Sequence, residues 1–179
     1  MTEINLKKIV ESLIDTFLYA GEVSLKLRNE GLTKQIKSDN TPVSNGDLEV
    51  NKIIVKKLKE ITPQLLIVSE ESSQNKLDQS LKDFWLVDPI DGTYDYINNL
   101  EEFTINAGLI LNNEPVAGLI YAPAKKRMFF SYGQDFAYEI VDGKHIKLDC
   151  LKNFNKDSIK FVSYSNKLKP EIEEIHKKL

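Results

Sequence analysis

TINAGLILNNEPVAGLIYAPAKKRMFFSY, residues 104–132, is the stretch that decides the fold. Three runs rich in β-branched and aromatic residues, TINAGLIL (104–111), VAGLIYAP (116–123) and RMFFSY (127–132), are separated only by Asn112–Pro115 and Ala124–Lys126. Such runs read as strands, and links this short join antiparallel neighbours. Downstream, FAYEIV (136–141) and HIKL (145–148) flank Asp142-Gly143, a dipeptide suited to a tight hairpin turn. Upstream lie two more strand-like runs, LLIV (65–68) and FWLVD (84–88), each delivering carboxylates at its end. Farther upstream, Leu6, Ile9, Val10, Leu13, Phe17 and Ala20 recur at the spacing of one α-helical face. Ser44 caps a second predicted helix with apolar positions Leu48, Ile54, Val55, Leu58 and Ile61, stopped by Pro63. Between the helices, GLTKQIKSDNTPVSNGD (31–47) reads as a loop or short hairpin because of Pro42, Asn45 and Gly46. The segment Ser72–Asp83 is polar, and SIKFVSYS (158–165) with KPEIEEIHKKL (169–179) reads as one more strand and the start of a helix. The predicted class is α+β, with two N-terminal helices packed on a mostly antiparallel sheet.

Bulk properties narrow the function. The chain has 179 residues, 41% of them hydrophobic, enough for one sizeable core. Lys and Arg total 24 against 27 Asp and Glu, a net charge of -3, so no basic excess exists to neutralise a nucleic acid polymer. Glu11 and Asp15 interrupt the apolar residues of MTEINLKKIVESLIDTF, which argues against a signal peptide core or a membrane span, so a cytoplasmic location and no membrane partner are expected. Cys150 is the single cysteine, which excludes an internal disulfide and a cysteine-based zinc cluster.

WLVDPIDGT (85–93) carries the chemistry. Asp88 ends a strand, and Pro89 is expected to turn the chain so that Asp91 comes back toward it. Paired carboxylates need a cation between them, and hard oxygen ligands select Mg²⁺, Mn²⁺ or Ca²⁺. Gly92 and Thr93 then open a predicted helix whose free N–H groups suit a phosphate. Taken alone, a DxxDG string is more often a turn residue followed by a helix cap. The neighbouring strand weighs against that, because pairing it with FWLVD puts Glu70 beside Asp88 and brings three carboxylates together. Each remaining residue also has a plain explanation: Glu70-Glu71 as loop charge, Asp47 as a helix-dipole partner, Lys37 as a solvated lysine. His145 and His176 are expected at the surface, and Cys150 has no base beside it in sequence. No Gly-rich nucleotide loop is present.

In order, KSDNTPVSNGD (37–47), VSEES (68–72), WLVDPIDGT (85–93), EFTINAGLI (102–110) and GLIYAPA (118–124) resemble the inositol monophosphatase family of Mg²⁺-dependent, lithium-sensitive phosphatases. The resemblance implies that Glu70, Asp88, the Ile90 carbonyl and Asp91 bind metal, two or three Mg²⁺ ions per site. It implies that Asp91, Gly92, Thr93 and Lys37 hold the substrate phosphate, and that Asp47, Thr93 and Glu70 serve the attacking water. The implied chemistry is metal-assisted hydrolysis, one cation acidifying a water and another stabilising the leaving oxygen. Asp95-Tyr96 resembles the 3'(2'),5'-bisphosphate nucleotidase branch, whereas Asn-Phe is usual in the inositol phosphatases; Glu101 stands where the branch usually has Gly. The expected substrate is a small phosphorylated metabolite, the 3'(2')-phosphate of adenosine 3'(2'),5'-bisphosphate, with inositol-1-phosphate as the alternative.

Family members continue into a second α/β domain with a W-D-x-A motif, and the only tryptophan of this chain is Trp85. The expected organisation is therefore an α+β metal- and phosphate-binding domain at 1–157 and the start of a second domain at 158–179. Impaired turnover is expected of the isolated chain, with a metal- and anion-binding fragment lacking catalysis as the contrasting outcome. A homodimer is the expected assembly.

Overall fold

The computed structural model describes residues 5–37, 41–71 and 81–149. Helix α1 (Leu6–Glu30) starts at Asn5, whose Oδ1 accepts the Lys8 amide at 3.0 Å, and ends at Gly31, whose φ of 103° suits glycine. Helix α2 (Asn45–Ile61) starts at Ser44 as predicted. The two helices pack on each other, and Val10, Leu13 and Phe17 of α1 and Val50, Ile54 and Leu58 of α2 are buried in one core cluster. The expected apolar position Leu48 is instead exposed, because the buried stripe of α2 follows the spacing 50, 54, 58.

The stretch between the helices contains a hairpin, β1 (Lys34–Ile36) against β2 (Pro42–Ser44). The main sheet has seven strands among the described residues, in the order β3 (Leu66–Ser69), β4 (Phe84–Asp91), β5 (Thr104–Leu111), β6 (Glu114–Ala122), β7 (Arg127–Tyr132), β8 (Ala137–Val141) and β9 (Lys144–Lys147). Only β3 and β4 are parallel; the other pairs are antiparallel, as sequential hairpins require. One sheet face meets the helices, with Trp85, Val87, Ile105, Ala107, Leu109, Leu119 and Phe130 in a single core cluster with α1 and α2. Trp85 Nε1 donates to Thr62 Oγ1 at 3.0 Å, so the buried indole N–H is satisfied. The alternate residues of β5, among them Asn106 and Gly108, take the opposite face.

Contrary to the expected turn at Pro89, β4 continues through it to Asp91, with a register shift against β5 between Asp88 and Asp91. Proline cannot donate to the ladder, and a bulge absorbs the missing bond.

By its internal contacts the first unit spans Met1–Leu148 and a second begins at Asp149. The expected boundary at 157/158, the strand at 158–165, the following helix, His176 and Cys150 lie outside the described residues, as do 38–40 and 72–80.

Candidate functional site

The parallel register aligns Ser69 with Val87, and the Glu70 amide donates to the Val87 carbonyl at 3.1 Å, so Glu70 and Glu71 leave β3 alongside Asp88. Ser69 is fixed in turn by Asn51, one helical turn beyond Asp47 on α2, through an Oγ–Oδ1 hydrogen bond of 2.6 Å. Burial, then the charges of Glu70 and Asp91, raise the Asp88 carboxyl from 3.8 to about 7. Asp88 Oδ1 is buried with no hydrogen-bond partner. A buried carboxylate oxygen without a donor, crowded by like charge, is what an oxygen-ligated cation would relieve.

The donor set of Glu70, Asp88, Asp91 and the Ile90 carbonyl therefore fits a hard divalent ion, although among the described residues no three acidic, histidine or cysteine side chains are already closed into a cage. Lys37 accounts for part of that. Its Nζ donates to Glu70 Oε1 at 2.9 Å and to Glu71 Oε1 at 2.7 Å, drawing both carboxylates toward the end of β1. Burial alone would lower the Lys37 ammonium, but its hydrogen bonds to Glu71 and Glu70 hold it above its usual range. Burial also pushes the Glu71 carboxyl up, against the pull of Lys37. The predicted solvated lysine is thus a half-buried counter-ion.

Asp47 sits in the first turn of α2, where it acts as a capping carboxylate. Its Oδ2 accepts from the Ser44 amide at 2.9 Å and the Ser44 hydroxyl at 2.6 Å, which is a capping box. Its Oδ1 faces the Thr93 hydroxyl at 3.0 Å. That hydroxyl is also 3.0 Å from the Ile90 carbonyl, but it has one hydrogen, and the anionic acceptor makes the stronger bond. Gly92, with φ 88°, lies past the last β4–β5 pair and before α3 (Thr93–Ile97), whose first backbone bond runs from the Tyr96 amide to the Gly92 carbonyl. A Cβ at Gly92 would meet the Glu102 carbonyl oxygen at 2.6 Å, so only glycine fits this turn.

Three contributors escaped sequence reasoning. Tyr96, read as a branch marker, is fully buried; its hydroxyl donates to the Ser24 carbonyl at 2.7 Å, and a Cβ on Gly46 would collide with the Tyr96 hydroxyl. This packing seats α3 against the start of α2, which lets Thr93 reach Asp47. Glu71 is the second anchor of Lys37. Asn106, directly opposite Asp88 on β5, donates from Nδ2 to Asp91 Oδ2 at 3.4 Å. Strand alternation could have found Asn106, had the β4–β5 register been known.

The sequence model of the inositol monophosphatase family matches residues 5–177, and the chain belongs to that family. Within it, the chain is similar to the bisphosphate nucleotidases. It is 34% identical over 142 residues to the 3'(2'),5'-bisphosphate nucleotidase CysQ of Aggregatibacter actinomycetemcomitans, covering 78% of this chain and 53% of the relative. It is 38% identical over 120 residues to CysQ of Buchnera aphidicola, covering 65% of this chain and 45% of the relative. Among solved structures, CysQ from Bacteroides thetaiotaomicron superposes with a TM-score of 0.68 at 29% identity, over 98% of this chain and 69% of that one. The chain thus spans about half the length of the curated relatives it matches. Among the described residues no helix is long and apolar enough to cross a membrane.

Proposed function

We propose that this chain carries the metal- and phosphate-binding chemistry of a Mg²⁺-dependent phosphomonoesterase acting on the 3'(2')-phosphate of adenosine 3'(2'),5'-bisphosphate, a soluble metabolite handled in the cytoplasm. The observation that supports it most is the orphaned, buried Asp88 Oδ1 at the point where Glu70 and Asp91 also act on Asp88. The similarity to bisphosphate nucleotidases supports the substrate.

Glu70, Asp88, Asp91 and the Ile90 carbonyl would hold the cations. Bound Mg²⁺ would supply charge compensation for the phosphate oxygens and acidify the attacking water. Thr93, its hydrogen given to Asp47 Oδ1, keeps its oxygen lone pairs for the water and orients it toward phosphorus. Asp47, anchored by Ser44, takes up through the Thr93 hydroxyl the proton that the water loses. The Gly92 and Thr93 amides would receive the phosphate oxygens, with Lys37 nearby as further positive charge. Water adds to phosphorus, the ester P–O bond breaks, and the nucleoside hydroxyl leaves with a proton.

Phosphate release from adenosine 3',5'-bisphosphate and from inositol-1-phosphate, with and without Mg²⁺, tests this on the chain and on Thr93→Val. Magnesium-dependent release favouring the nucleotide is expected, with Thr93→Val slower by about 10²-fold or more. Turnover unaffected by Thr93→Val would remove the water-orienting role. A preference for inositol-1-phosphate would move the substrate to the other branch.

A further inference from the structure

Asp88 and Asn106 are paired directly across β4 and β5, so their side chains leave the sheet on the same face. Both Asp88 Oδ1 and Asn106 Oδ1 are buried without a hydrogen-bond partner; the only other such side-chain atom among the described residues is Arg28 Nε on α1. Two orphaned acceptors therefore sit side by side at the acidic end of the sheet. Asn106 cannot resolve this alone. Its amide nitrogen is engaged with Asp91 Oδ2 at 3.4 Å, and turning the amide over would set its oxygen against that carboxylate. Neither orientation provides donors for the Asp88, Asp91 and Asn106 oxygens together. A cation would satisfy all of them, because hard divalent ions accept carboxamide oxygens beside carboxylates. A neutral oxygen also adds a ligand without adding repulsion to Glu70, Asp88 and Asp91.

We propose that Asn106 contributes its side-chain oxygen to the divalent cation held by Asp88 and Asp91, a ligand additional to the set implied by the family resemblance. The proposal rests on the metal-binding reading above. Its physical motive is that an unpaired carboxamide oxygen is costly to bury, and its register partner presents one carboxylate oxygen that is likewise unpaired.

The test measures Mn²⁺ affinity by electron paramagnetic resonance of the free ion, at fixed pH and ionic strength, on the 179-residue chain, Asn106→Leu, Asn106→Asp and Asp88→Asn. Asn106→Leu, close to isosteric, should bind about tenfold more weakly. Asn106→Asp, which keeps an oxygen and adds charge, should bind at least as tightly as the unaltered chain, and Asp88→Asn should bind most weakly. Should Asn106→Leu fail to fold, Asn106→Ala removes the oxygen without bulk and gives the same comparison. Equal affinity of the chain and the variant lacking the oxygen overturns the proposal. So does an Asn106→Asp variant as weak as Asn106→Leu, which would mark a purely structural role. Absence of Mn²⁺ binding by the unaltered chain instead overturns the metal reading itself, and this ligand with it.

Discussion

At the ends of β3 and β4 the sheet gathers carboxylates that repel one another, whereas along β7, β8 and β9 its side chains include rings that pack on each other. Phe130 lies 5.2 Å from Tyr138 and 5.0 Å from His145, and Tyr132 lies 5.2 Å from Phe136 and 5.8 Å from Tyr138. Offset rings at such distances add attraction beyond their burial. At the other side, Asp88 is pushed up to about 7 by burial and by Glu70 and Asp91, so the fold works against its ionised form. One sheet thus combines a region that stabilises the fold with a region that costs stability and keeps oxygens available for a ligand.

The largest expected effect breaks the aromatic side. Phe130 is 3% exposed and touches three other rings, so Phe130→Ala should lower the unfolding free energy by about 3–5 kcal/mol in urea melts. Mn²⁺ affinity of the molecules that remain folded should not change, because β7, which carries Phe130, is separated from β4 in the sheet by β5 and β6. Loss of affinity in step with stability would show that the two sides are coupled.

A second variant relieves the acidic side and should act in the opposite direction. The Asp88 carboxyl is raised in the fold, so the folded chain keeps a proton that the unfolded chain releases above pH about 3.8. Stability associated with this group is therefore present in full below that value and lost as pH rises through about 7. The full displacement corresponds to about 4 kcal/mol; partial solvent contact and sharing with Glu70 reduce it to about 2 kcal/mol. Asp88→Asn should then be the more stable protein by that amount at pH 8 without divalent ions, with the difference vanishing toward pH 4. A variant less stable than the parent at pH 8 would show that Asp88 is ionised at no cost, and the contrast between the regions would fail.

The smallest effect sharpens the aromatic side. Tyr132 and Tyr138 join hydroxyls at 3.4 Å, a long bond at the solvent edge of the stack. Tyr132→Phe should change stability by less than about 0.5 kcal/mol, since stacking and not hydrogen bonding holds this region. A cost above about 1 kcal/mol would assign the work to the hydroxyl pair.

Local patterning was enough to read the elements and to single out most of the acidic residues at the candidate site. The spacing of Val10, Leu13 and Phe17, the cap at Ser44 and the alternation in residues 104–132 are set by neighbours a few positions away, so periodicity reads them directly. Asp88, Asp91, Gly92 and Thr93 were legible for the same reason, lying within six residues of one another at the end of β4 and the start of α3. Only the tertiary structure decided that Lys37 pairs with Glu70 and Glu71, that Asn51 fixes Ser69, that Tyr96 reaches Ser24 and that Asn106 faces Asp88. These contacts join residues 33, 34, 18 and 72 positions apart or follow from the register of two strands. Their geometry depends on strand order, on the bulge that β4 makes at Pro89 and on the small residue at Gly46 that admits Tyr96. A local window contains none of these, because a slip of one residue in register would send Asn106 to the opposite face while leaving every local propensity unchanged.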